Sequence, residues 1–177
     1  MQQILFVLLI VSLSCLIALC IGLLVRALIE PHLLDTDNES LPSFSDKKGE
    51  AKAPLLHISF FSDLHAALCF LPDDKIQGAL FSPLPDAILF GGDVCNQGKA
   101  AEAGLERLSR IAARAAALGI PCYAVRGNHD LGISREQFRS SGFTLLENES
   151  VPLYSSSGTE FLLIGLDDWG KKDRIWP

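Results

Sequence analysis

The chain has 177 residues and a mass of 19.2 kDa, enough for one domain of ordinary size but not for two. At 49% hydrophobic and 20% charged residues, with a mean hydropathy of +0.28, it is too apolar for a disordered protein. Fifteen Lys and Arg against 21 Asp and Glu leave a formal charge of −6; that argues against non-specific nucleic-acid binding, which needs a positive field, yet leaves phosphate chemistry open where cations supply the charge.

The apolar surplus is concentrated at the start. Ile4 to Val25 is a run of 22 residues without a charge, roughly 33 Å of helix at 1.5 Å per residue, about the hydrocarbon thickness of a bilayer. Met1-Gln2-Gln3 offers no basic n-region, and neither Cys15 nor Cys20 follows a lipobox, so residues 1–29 read as a retained transmembrane anchor rather than a cleaved leader. Arg26, Lys47, Lys48 and Lys52 follow the span, which by the positive-inside rule places the rest of a single-pass cell-membrane protein in the cytoplasm. Residues 30–54 are polar, contain Ser40, Pro42, Gly49 and Pro54, and read as a linker. The cysteines form no CxxC pair, and an odd three (Cys69, Cys95, Cys122) remain outside the anchor. A disulfide framework is not indicated, and a reducing compartment is preferred.

From residue 55 to 177 the pattern is that of a folded α/β domain. Leu55–Phe61 and Ala87–Phe90 are short apolar runs of strand type, and Ile120–Val125 is a third. Their continuous apolar character predicts strands buried on both faces. Between the second and third, Lys99–Leu118 carries Ala101, Leu105, Leu108, Ala112 and Ala115 at helical spacing, and Gly119 stands where a left-handed cap belongs. A short helix near Ser134–Ser141 and strands near Phe143–Leu146, Val151–Tyr154 and Glu160–Leu166 follow.

Polar and glycine-rich residues fall at the carboxyl ends of the first three strands, where open α/β sheets bind ligands. They form three clusters: Asp63-x-His65, Gly92-Asp93 and Gly127-Asn128-His129-Asp130. Two carboxylates, a carboxamide and two imidazoles on neighbouring strand ends are oxygen and nitrogen ligands suited to Mn²⁺, Fe²⁺ or Zn²⁺. A lone carboxylate there can bridge two cations, as two-metal hydrolysis requires. Each cluster alone is weak, since an Asp after a strand is often only a turn former.

As SDLH (Ser62–His65), GGD (Gly91–Asp93) and GNHD (Gly127–Asp130) in this order, the clusters resemble the motifs of the calcineurin-like metallophosphoesterases. That resemblance implies a β-sandwich flanked by helices, two divalent metal ions, and hydrolysis of a phosphoester or pyrophosphate bond by metal-activated hydroxide. By it, Asp63 and His65 bind the first metal, Asp93 bridges both, and Asn128 binds the second. His129 lies beside the substrate and positions or protonates the leaving oxygen, with Asp130 orienting it. The apolar leader, Leu145–Leu153 and Leu163–Trp169 are similar to the membrane-associated bacterial branch, which includes UDP-2,3-diacylglucosamine hydrolase-like enzymes. A phosphorylated small-molecule or lipid-linked substrate is then expected. Asp167-Asp168 reads as a turn or as metal ligands, the turn being the simpler account.

The family completes its site with a later lone His and a Gly-His-x-His motif. Of the four histidines here, His32 falls in the linker and His57 within the first strand as a packed or hydrogen-bonded residue; only His65 and His129 stand in the motifs. The resemblance therefore covers the first half of the catalytic domain, and the chain is expected to be a fragment of a longer product, or else a truncated, non-catalytic membrane-anchored protein. A nucleotide phosphodiesterase or nuclease is a third reading.

Overall fold

A computed structural model of the chain describes residues 2–40, 56–96 and 100–167. Leu55 of the first expected strand, residues 41–54 of the linker, Lys99 of the long helix, and Asp168 and Trp169 near the end lie outside the described residues. The chain divides into two units, Met1–Asp35 and Thr36–Pro177.

The first unit is helix α1 (Gln2–Ile29) followed by a 3₁₀ turn, Glu30–His32. At 28 residues α1 is roughly 42 Å long, more than a hydrocarbon core needs. Its apolar residues point in every direction and all are exposed, so it has no polar side to keep in water. The Ser12 hydroxyl donates back to the Leu8 carbonyl at 2.8 Å, which satisfies it within the helix itself. This helix is long and apolar enough to cross a membrane, and Pro31 stands in the turn that follows it.

The second unit alternates strands and helices: β1 (Ile58–Phe61), α2 (Asp73–Leu80), β2 (Ala87–Phe90), α3 (Ala101–Ala117), β3 (Cys122–Ala124), α4 (Arg135–Ser140) and β4 (Thr144–Leu145). The four strands are parallel and lie side by side in chain order. A hairpin of β5 (Glu149–Tyr154) and β6 (Glu160–Gly165) closes the described chain as a separate antiparallel sheet. Each element expected from residue 55 onward is present: Ala87–Phe90 stands as expected, the strand expected from Val151 begins two residues earlier at Glu149, and the others are trimmed by one to three residues at their ends. Gly119 adopts the left-handed conformation expected past α3, at φ +71°. Helix α2 was not anticipated. It is only eight residues long and carries Gly78, so its apolar pair Ile76 and Leu80 gives little periodicity to read.

The expectation of strands buried on both faces holds only in part, for the central strands β2 and β3. In register, Phe61, Phe90, Ala124 and Leu145 share one face with Ser59, Ile88 and Cys122. That face packs on Ile76 and Leu80 of α2, Leu108, Ile111 and Ala115 of α3, and Phe138 of α4. The opposite face carries the fully buried Ala87 and the half-buried Ile58, Leu89 and Tyr123, but also Phe60, which is 64% exposed, and the exposed Thr144. Strand order explains the asymmetry: a sheet that grows in one direction by crossovers of one hand receives all its helices on the same side. The hairpin likewise buries Leu153 and leaves Leu162 and Ile164 exposed.

Candidate metal centre

The three motif loops leave the carboxyl ends of β1, β2 and β3 and are joined to one another by backbone. The Asp63, His65 and Ala66 amides donate to the carbonyls of Gly92 (2.9 Å), Asp93 (3.0 Å) and Val94 (3.1 Å), so the first loop runs as a ladder on the second. The third loop meets the second through two glycines. A Cβ on Gly92, at φ +99°, would lie 2.7 Å from the Gly127 Cα, and one on Gly127 would lie 2.6 Å from the Asp93 carboxylate carbon. Only side-chain-free backbone lets these loops approach so closely.

Asp63, His65 and Asp93 each offer one ligand atom within 4.8 Å of the others. The Asp63 Oδ1 and His65 Nε2 atoms are 3.5 Å apart. All three residues are held at positive φ, +54°, +37° and +61°, a conformation L-residues avoid and one that gathers at functional sites. The His65 Nδ1 atom lies 3.3 Å from the Cys95 carbonyl. A carbonyl can only accept, so Nδ1 donates to it, and Nε2 is the ring atom that faces the cluster. Two carboxylate oxygens and an imidazole nitrogen are a donor set that fits a divalent cation of the Mn²⁺, Fe²⁺ or Zn²⁺ type.

His129 joins this group: its ring packs edge-on to the His65 ring with centroids 5.3 Å apart, and its amide donates to the Asp93 Oδ1 atom at 2.9 Å. Asn128 is exposed at the corner of the same turn, which the Asp130 amide closes onto the Gly127 carbonyl. Asp130 itself does not meet the His129 ring. Its carboxylate is fully buried and accepts the amides of Asp93 (2.6 Å), Val94 (2.9 Å) and Gly127 (3.2 Å). Where the resemblance would have it orient His129, its oxygens instead face backbone amides and the Cys95 thiol. Burial raises this carboxyl above its ordinary range; the three amides hold it down, and the Asp93 carboxylate adds to the rise.

Two supporting residues escaped the sequence reading. Arg107 of α3 donates to the carbonyls of Cys69 and Leu71 and pairs with Asp73 at 2.9 Å, which pins the loop that follows His65. Its sequence trace is a basic stripe of Arg107, Arg110 and Arg114, whose other members meet Asp73 and the Phe81 ring. Arg126, just before the third motif, is almost buried and pairs with Glu147 at 2.7 Å. His57 lies outside the centre, with its ring Nδ1 atom 3.0 Å from the Leu84 carbonyl. The Asp167 amide donates to the Asn148 carboxamide oxygen at 3.1 Å.

Against known proteins, the model of the calcineurin-like phosphoesterase family matches residues 56–177. No curated protein matches the chain.

Proposed function

Given that the chain belongs to the calcineurin-like phosphoesterase family, we propose that it is a membrane-anchored hydrolase of a phosphoester or pyrophosphate bond in a lipid-linked substrate. The observation that carries the reading is the convergence of Asp63, His65 and Asp93, with the His129 ring beside them, at the strand ends. Two divalent cations on Asp63, His65, Asp93 and Asn128 would neutralise phosphate charge and make water a competent nucleophile near neutral pH.

The chain's own groups do the rest. Asp93 stands between the first and third loops, and the His129 amide on its Oδ1 atom fixes its carboxylate plane. As the bond from water oxygen to phosphorus forms and the bond to the leaving oxygen breaks, a ring nitrogen of His129 supplies the proton that the leaving oxygen takes up. Lipid linkage is supported by the anchor-like α1 and by the rim of the site. Leu68, one turn after His65, Phe70, and Leu131, two residues after His129, are all exposed. Large apolar side chains on loops flanking a polar centre suit a substrate whose phosphate binds the centre while its acyl chains cover the rim. The basic residues after α1 support a cytoplasmic catalytic domain.

The full chain in nanodiscs tests this through metal content and hydrolysis of bis-p-nitrophenyl phosphate in added Mn²⁺. Bound metal, with turnover abolished in Asp93→Ala and reduced at least a hundredfold in His129→Ala, is the expected result. A folded chain without metal or turnover supports the non-catalytic reading instead. For lipid linkage, Leu68→Ser with Phe70→Ser lowers kcat/KM for a lipid pyrophosphate about tenfold and leaves the soluble ester unchanged. Equal loss on both substrates refutes it.

A further inference from the structure

Among the described residues Asp130 is the one charged side chain that is wholly buried, and its hydrogen-bond partners are all neutral. Its Oδ2 atom accepts the Asp93 and Gly127 amides, and its Oδ1 atom accepts the Val94 amide and, at 4.0 Å, the Cys95 thiol. The contact is reciprocal, because the Asp93 carboxylate accepts the His129 amide from the Asp130 loop. Each of the two loops thus holds a backbone amide of the other by a carboxylate, across an interface too close for any Cβ. Three amides and the Cys95 thiol together take up the roughly four lone-pair directions of this buried carboxylate and leave none toward a cation.

We infer that Asp130 is a positioning residue of the metal centre, neither a ligand nor the partner of the His129 ring, and that its clamp sets Asp93 and His129 in their working places. This rests on the proposed metal reading. Asp93 is held at φ +61° against the preference of an L-residue, and the Asp130 carboxylate caps the amides of Asp93 and the residue after it. Every partner of Asp130 is a donor, so an ionised carboxylate satisfies them all. The isosteric carboxamide has a single oxygen and would aim its own NH₂ at an amide proton.

The test is Mn²⁺ affinity of the full chain in detergent, by calorimetry, for wild type, Asp130→Asn and Leu80→Ala. Leu80 is buried in the core at the end of α2 that leads to the amino end of the sheet, so its truncation lowers stability without touching the clamp. Expected are at least a tenfold weaker Mn²⁺ dissociation constant in Asp130→Asn and a value within twofold of wild type in Leu80→Ala, whichever variant melts lower. Affinity within twofold of wild type in Asp130→Asn, or an equal loss in Leu80→Ala, overturns the inference alone. A wild-type chain that takes up no Mn²⁺ overturns the metal reading on which it rests. A measurement on wild type covers the case in which Asp130→Asn does not fold. Before metal is added, the Asp93, Val94 and Gly127 amides should exchange with solvent as slowly as those of β2, and fast exchange there refutes a pre-formed clamp.

Discussion

Gly127→Ala isolates the closeness of the loops from every other property of the centre. Gly127 is not among the residues at positive φ, so alanine meets no backbone objection there. The added methyl would lie 2.6 Å from the Asp93 carboxylate carbon, where ordinary contact begins near 3.4 Å. The Asp93 Oδ1 atom lies nearer still, as does the Asp93 backbone nitrogen at 2.5 Å from the methyl, so carboxylate and backbone together must retreat by about 0.9 Å, well beyond the roughly 0.2 Å over which metal–ligand distances are tolerated. Overpacking costs about 1–3 kcal/mol, and the stiffer unfolded chain returns about 0.4–1 kcal/mol, for a net loss near 1–2 kcal/mol. Metal affinity should fall further, by roughly 10- to 100-fold, the usual effect of moving a ligand's support. Thermal melting of the apo chain and calorimetric Mn²⁺ titration separate the two effects. If Gly127→Ala binds Mn²⁺ as wild type does, Asp93 is not placed by this contact and the account of the centre is wrong.

Other perturbations test the scaffold. Glu147→Gln should destabilise by about 2–3 kcal/mol, because it strips the partner from Arg126, whose side chain is only 9% exposed. Arg135→Gln on the far side of Glu147, 48% exposed, should cost under about 1 kcal/mol, and equal losses by urea melting would contradict the burial argument. Phe138→Ala empties a fully buried position under the sheet and should cost about 3–5 kcal/mol in the same assay; a loss below 1 kcal/mol would mean that this core is not packed as described. Burial pushes the Cys122 thiol from 9.0 up to about 12. The unfolded chain therefore sheds this proton first, and stability present below pH 9 is lost as pH rises toward 12, by about 1.4 kcal/mol per unit. Cys122→Ala should flatten that part of the stability–pH curve, and an unchanged slope would place the titration elsewhere.

What could be read along the chain was whatever depends on neighbours in sequence. The 22 uncharged residues from Ile4 to Val25 require a lipid-like surrounding wherever they lie, because no rotation of the helix hides them from water. The three strands and α3 are legible from continuous or 3.6-period apolar runs, and the placing of Asp63, His65, Asp93 and Asn128 follows from turns that directly succeed strands. Phe60 shows where this kind of reading ends: a run of apolar residues cannot reveal that α2, α3 and α4 would all lie on one side of the sheet.

Asp93 and Asp130 make the same point within the centre. Both are aspartates in glycine-led turns after strands, and nothing local distinguishes them. The fold does so by distance and burial. Asp93 keeps company with Asp63 and His65, while Asp130, 37 residues further on, is turned inward onto amides of the Asp93 loop. Arg107 likewise reads as one more charge on a helix until α3 is laid against the loop after His65. Residue types and their order determined the chemistry on offer. Which carboxylate joins the cluster of ligand atoms, and which is spent wholly on groups of another loop, was decided only by the pairing of segments remote in sequence, because a hydrogen bond needs both of its partners in place.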